Sequence, residues 1–239
     1  MSIAALSPAE WEVISLSLKV ALWSVAVSLP FALAVAWLLA RTSFPGKSLF
    51  DALVHLPLVL PPVVVGYLLL LTLGRKGPLG SLLYDWFGMT VVFSWAGAAL
   101  ACAVMGFPLM VRAIRLSMET IDPKLEQAAR TLGAGVWGRF LAVTLPLSLP
   151  GVVTGTLLSF ARSLGEFGAT ITFVSNIPGE TRTLPLAIYT YTQVPGGDEQ
   201  ALRLCVISVL ISIGALLVSE TLVRRASRQV LGYDAIGRH

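Results

Sequence analysis

An all-α polytopic membrane protein, a bundle of five transmembrane helices, is the fold that this sequence predicts, and three observations predict it. Charged residues make up 13% of the 239-residue chain and hydrophobic residues 56%, whereas a soluble domain carries about 25% charged residues. Five apolar runs are each long enough to cross a hydrocarbon core of about 30 Å at about 1.5 Å per residue. The basic residues gather between and after alternate runs, which is the positive-inside pattern and not the one-faced patch of a nucleic-acid binder. The net charge of +4 therefore reports topology. Residues 1–239 read as one transmembrane domain with no separate globular module.

The first span is predicted at 14–40. Glu10 and Glu12 precede it where a signal peptide would carry basic residues. Ala34-Val35-Ala36 resembles a cleavage site, but the run before it is too long for a signal-peptide core, so the helix is expected to be retained. The second span, 53–73, contains Pro57, Pro61 and Pro62. These predict a kink whose freed carbonyls face a neighbouring helix or a cavity. The third span is placed at 90–111, the fourth at 150–174 and the fifth at 202–223. Glu220 and Arg224, four residues apart, form an anchoring pair at the cytoplasmic end of the fifth.

Region 140–174 could also be cut into two spans, making six, and charge decides against it. With five spans and the N-terminus outside, the inner segments 41–51, 112–143 and 224–239 hold Arg41, Lys47, Arg112, Arg115, Lys124, Arg130, Arg139, Arg224, Arg225, Arg228 and Arg238. The outer segments hold only Arg75, Lys76 and Arg182, while Lys19, Arg162 and Arg203 lie within or beside spans. A sixth span would move a strongly basic region to the wrong side.

The inner segment 112–146 is unusually long. Asp122-Pro123 is a helix start, the aspartate supplying a cap and the proline having no N–H to satisfy. Gly133 is placed to end that helix in a left-handed conformation. Between them Leu125, Ala128, Ala129 and Leu132 recur at i, i+3, i+4 and i+7, giving one small apolar face. A second short helical stretch is predicted over 136–143, closing at Pro146. Such a helix suits docking into a protein groove, and a membrane-surface helix or a plain linker is the alternative. The alanines favour close backbone approach, which fits docking better.

Gln127-Ala128-Ala129, followed by Gly133, Val143 and Leu145-Pro146, resembles the "EAA" signature of ABC-importer permeases. The resemblance implies a type I importer permease fold with five helices per chain and a two-fold homodimer. It also implies that Leu125, Glu126, Gln127, Ala128, Ala129, Gly133, Leu145 and Pro146 belong to a coupling segment held by a cytoplasmic ATPase subunit, one per permease chain. An extracytoplasmic oxyanion-binding protein would deliver the cargo. Gln127 departs from the signature, which usually has Glu there, so either Gln127 substitutes by hydrogen bonding or the adjacent Glu126 takes over. The stretch 159–190, "SFARSLGEFGATITFVSNIPGETRTLPLAIYT", and 41–48, "RTSFPGKS", are similar to the molybdate permeases within that superfamily. Tungstate, sulfate or thiosulfate is the alternative cargo.

Residues 162–170 form the second candidate site. Arg162 and Glu166 are i, i+4 inside the fourth span. Either they are a neutralising structural ion pair, or they act in gating or anion attraction. Gly165 and Gly168 flank Glu166-Phe167 and predict a bend or break, so 163–170 is expected to be a hinge near the translocation path. Ser159, Ser163 and Thr170 could offer hydroxyls to a tetrahedral oxyanion, although small hydroxyl residues also let helices pack closely in lipid.

Other classes of function find no support. Gly46-Lys47-Ser48 resembles the end of a phosphate-binding loop, but Arg41 stands where the first glycine belongs. Nucleotide hydrolysis is therefore assigned to a partner, and no catalytic or cofactor-binding residue is expected in this chain. His55 and His239 are far apart, and Cys102 and Cys205 sit in apolar runs, so no metal site or disulfide is expected. An ion-gradient-driven transporter would carry acidic or His relay residues in several spans. An intramembrane enzyme would need a nucleophile–base pair or a metal.

Overall fold

A computed structural model describes the backbone of residues 6–236, and side chains through 218 together with those of 220, 221 and 223. The chain is helical in the order α1 (Pro8–Arg41), α2 (Lys47–Val59), α3 (Pro62–Leu73), α4 (Pro78–Phe87), α5 (Trp95–Glu119) and α6 (Pro123–Thr131). It continues through α7 (Val136–Arg139), a π-helical turn (Phe140–Thr144), α8 (Leu145–Leu147), α9 (Leu149–Leu164), α10 (Gly168–Val174), α11 (Leu184–Thr192) and α12 (Asp198–Ile236). Among the described residues, three helices are long and apolar enough to cross a membrane, and up to five spans result if each bent pair counts as one. The expected pairing of Glu220 with Arg224, and the basic residues Arg225, Arg228 and Arg238, rest on side chains outside those described.

Helix α5 is the hub. Its candidate span is 67% buried inside the protein, against 11% for the span opening α12. Leu16 and Val20 of α1 cluster with Ala98, Ala101, Cys102 and Met105, and Ala32, Ala36 and Leu39 cluster with Met110, Ile114 and Met118. The two helices therefore run parallel. Small residues line this seam, which lets backbones approach closely where lipid offers no hydrophobic drive to association. Along α9 and α10, Gly151 lies against Ser117, Gly155 against Met110, Ser159 against Gly106, Ser163 beside Cys102, and Val174 against Gly97. Residues 149–174 thus track the full length of α5 in the opposite direction.

Span boundaries differ from the sequence reading in instructive ways. Helix α1 starts at Pro8, capped by Ser7 in a reciprocal capping box with Glu10, so polar capping chemistry begins the helix before the apolar run does. The second span is broken: α2 and α3 meet at 113° across Leu60-Pro61, because neither Pro61 nor Pro62 can donate to the ladder. The third starts at Trp95, since Phe93 adopts φ 61° and Ser94 caps Gly97. It runs on to Glu119, carrying Arg112 and Arg115 within a continuous helix. The stretch 136–147 does not stop at Pro146. Pro146 lacks the N–H for the carbonyl four residues back and its ring crowds it, and the turn before it opens into the π form, with Leu145 N–H donating to Phe140 O.

Candidate functional site: an exposed short helix and a broken span

Helix α6 begins where the aspartate–proline pair places it. The Asp122 carboxylate accepts from Lys124 N–H at 2.9 Å, and Pro123 occupies the first turn. The helix ends where Gly133 takes φ +86°, with open space about its α-carbon. No described residue of α6 is buried. Its apolar face is therefore uncovered by the rest of the chain: Leu125 is exposed, Leu132 is 89% exposed, and Trp137 of α7 is 77% exposed. Gln127, Ala128 and Gly133 are exposed beside them, and Ala129 is half-buried. Leu145 and Pro146 lie beyond the π turn, half-buried and exposed respectively, where the chain turns back toward the bundle.

Glu126 and Gln127, equivalent candidates in the sequence, part company in the structure. Gln127 faces out. Glu126 turns inward, with its Oε1 2.9 Å from Arg41 Nε and accepting from the Thr144 hydroxyl at 2.8 Å. Arg41 is the last residue of α1, and Thr144, 1% exposed, closes the π turn. Lys47 Nζ donates to Thr42 O at 3.0 Å, so the two basic residues of the 41–48 motif fix the exit of α1.

The fourth span breaks between Leu164 and Gly168, where the two glycines flank Glu166. Glu166 is 1% exposed. One carboxylate oxygen accepts from Ala169 N–H at 2.7 Å and the other meets Arg162 Nη1. A single side chain therefore ties the end of α9 to the start of α10. Phe167, in the break, stacks tilted on Tyr189 of α11 at 5.2 Å. Helix α10 lies parallel to α3: a Cβ on Gly168 would stand 2.8 Å from Pro62 Cβ, and one on Gly66 would stand 2.6 Å from Ala169 O. The two interrupted spans meet at their breaks. Gly165 has φ −93° and space around it, so of the two flanking glycines only Gly168 is demanded by packing.

Two of the three hydroxyls of this region are hydrogen-bonded within the bundle, and the Ser159 Oγ is buried without a hydrogen-bond partner. Ser163 Oγ lies 2.9 Å from Ser24 Oγ, Thr170 donates to Phe167 O at 2.9 Å, and Ser159 is fully buried against Gly106. These surroundings fit the helix-packing reading. Several polar contacts escape a reading of the sequence. Glu10, 1% exposed, pairs with Arg203 Nε at 3.3 Å. Lys19 sits 3.7 Å over the Trp95 ring. Arg115 joins Asp51 at 2.8 Å and Glu119 at 2.7 Å. The contacts of Glu10 with Arg203, Lys19 with Trp95 and Arg115 with Asp51 link residues on different helices; the signal available in sequence was only that Lys19 and Arg203 are cations within or beside spans. Among the described residues no group of three His, Cys, Asp or Glu side chains could hold a metal ion.

Comparison with known proteins places this architecture. Residues 28–229 match the family described as "Binding-protein-dependent transport system inner membrane component". The chain is 64% identical over 219 residues to the Molybdenum transport system permease protein ModB of Escherichia coli (strain K12), covering 92% of this chain and 96% of that one. It is 60% identical to the protein of the same name from Haemophilus influenzae, over 92% and 96%. The Sulfate transport system permease protein CysT of Escherichia coli (strain K12) is 37% identical over 98% of this chain and 87% of that one. Among solved structures, a chain of a bacterial alginate ABC transporter in complex with alginate pentasaccharide-bound periplasmic protein superposes with a TM-score of 0.73 at 17% identity, covering 92% of this chain and 80% of that one. That likeness concerns the fold. The matched span and the near-full-length relatives establish that the chain belongs to the binding-protein-dependent transport system inner membrane component family.

Proposed function

We propose that this chain is the channel-forming permease subunit of an ATP-driven importer that moves molybdate across the cytoplasmic membrane. The observation that carries the cargo is the 64% identity to a molybdenum permease, extending over 92% of this chain. Sulfate is the second reading, favoured by a relative at 37% identity over 98% of the chain. A proton-relay transporter fits poorly, since Glu166 is occupied by Arg162 and by the backbone of α10.

In this reading the chain is non-catalytic, and two cytoplasmic ATPase subunits hydrolyse ATP for a homodimer of permease chains. Leu125, Gln127, Ala128, Leu132 and Gly133 form the docking face, which the uncovered apolar side of α6 supports. An extracytoplasmic oxyanion-binding protein delivers the anion. The 163–170 break is the hinge through which closure of the ATPases switches the path from inward- to outward-facing. The N-terminus lies outside and the C-terminus in the cytoplasm.

The test is uptake of molybdate, tungstate and sulfate, side by side, in cells deleted for this chain. Complementation uses wild type or Gly133→Trp. Gly133 holds φ +86° with open space about its α-carbon, so a Trp there strains the turn after α6 and bulks the docking face without filling the core. Loss of molybdate uptake restored by wild type alone is the expected result. Loss confined to sulfate would transfer the cargo, and full rescue by Gly133→Trp would remove α6 from the coupling role.

A further inference from the structure

The position of Glu126 has a meaning that the docking face does not exhaust. Its carboxylate is mostly buried and points away from the face formed by Gln127 and Leu132. Three separate elements converge on it: the final residue of α1 through Arg41, helix α6 itself, and the π turn through Thr144. Both charges are substantially withdrawn from solvent, with side chains 15% and 19% exposed. A buried pair of this kind contributes little net stability compared with an apolar replacement, but breaking one partner is costly because the other charge is stranded. π turns inserted in α-helices are rare and concentrate at functional positions. This one delivers the hydroxyl that completes the contact.

We infer that Arg41, Glu126 and Thr144 form a latch that transmits displacement of the coupling helix α6 to α1, making Glu126 a positioning residue inside the permease rather than an ATPase contact. The inference rests on the importer reading above. Its physical basis is connectivity. Helix α6 is joined covalently to α5 before it and, through α7, to the π turn after it, and the Arg41–Glu126 contact ties it to α1. Helix α1 packs along α5 from Leu16 to Leu39, so a pull on Arg41 is delivered to the longest seam in the bundle. The latch also assigns distinct tasks to the two neighbours in the coupling motif. Gln127 faces the partner, and Glu126 holds the helix to its own chain.

The experiment uses the assembled importer in proteoliposomes, with its ATPase and binding protein and with radiolabelled molybdate inside the assay. Wild type is compared with Glu126→Gln, with Thr144→Val, and with the exchange Arg41→Glu plus Glu126→Arg. The latch predicts that Glu126→Gln still co-purifies with the ATPase and hydrolyses ATP within about twofold of wild type, while molybdate transported per ATP falls about tenfold, a size typical of coupling between sites. Thr144→Val falls in the same direction by less, and the exchange recovers part of the loss. Loss of ATPase co-purification in Glu126→Gln, unrepaired by the exchange, would show that Glu126 touches the ATPase and overturn the latch. If Glu126→Gln does not fold, Thr144→Val decides, since it keeps both charges: unchanged transport per ATP there counts against the latch. Wild type that takes up neither molybdate nor sulfate would sink the importer reading and the latch with it. Wild type that takes up sulfate alone moves the same comparison to radiolabelled sulfate, and coupled wild type with all three variants equally coupled would sink the latch alone.

Discussion

Glu10 shows how a single buried residue can carry several structural tasks at the start of a helix. Its carboxylate accepts from Ser7 N–H at 2.7 Å, its own N–H donates to Ser7 Oγ at 3.2 Å, and its other oxygen faces Arg203. The first two contacts cap α1, and the third fastens α1 to α12 at the end where Leu204 packs on Val13, Ile14 and Leu184. Glu10 is 1% exposed and the Arg203 side chain 23%, so removal of the cation strands a carboxylate that water can barely reach. Arg203→Leu is predicted to cost about 3 kcal/mol, the lower end for breaking a buried pair because Arg203 retains some solvent. In detergent that corresponds to a fall in melting temperature of about 6–12 °C for a chain of this size. Glu10→Gln combined with Arg203→Leu should recover most of the loss, since no charge is then stranded. A double variant as unstable as the single one would mean that Arg203 acts through packing alone.

At the scale of elements, the two broken spans make opposite predictions for two glycines that look alike in sequence. A Cβ at Gly165 meets only Ala161 O, at 3.9 Å, and the position is exposed, so Gly165→Leu should leave extraction and melting behaviour near wild type. If the break is a hinge, that variant nonetheless loses molybdate uptake; normal uptake would remove the hinge. Gly168→Ala pushes against Pro62 and should lower stability by about 1–3 kcal/mol, the usual cost of overpacking. The contrast also marks what the sequence made legible. Hydropathy located the spans, Pro61-Pro62 located one break, and the Gly165–Gly168 bracket located the other, because each is a local constraint on the backbone. Helices α4 and α11 were not anticipated, since runs of 10 and 9 residues are too short to register as spans. The π turn was hidden because it arises from Pro146 acting on the carbonyl before it. Glu126 and Gln127 could not be separated, for their difference lies in whether Arg41, 85 positions upstream, reaches one of them.

At the scale of the whole molecule, the direction of each helix can be combined with the distribution of charge. Helices α1, α5 and α12 begin at one end, as the parallel packing of α1 on α5 and the Glu10–Arg203 contact require, and α9 begins at the other. Arg41 meets Glu126 and Arg115 meets Asp51 at the end where α1 and α5 finish. That end also carries Lys47, Lys124, Arg130 and Arg139, whereas the loop after α3 carries only Arg75 and Lys76. Several of these arginines are neutralised by carboxylates, but topology follows the count of Lys and Arg and is little affected by Asp and Glu. The basic end should therefore face the cytoplasm. The check is accessibility of single cysteines in a Cys102→Ala, Cys205→Ala background, expressed without other subunits so that no partner shields α6. Lys76→Cys and Leu132→Cys both replace exposed side chains. A membrane-impermeant maleimide applied to spheroplasts should label Lys76→Cys at once and Leu132→Cys only after permeabilisation. The reverse pattern would invert the protein and with it the docking face. Labelling of both from outside would mean that the chain between 76 and 132 does not cross the membrane, which the burial of α5 at the centre of the bundle makes physically expensive.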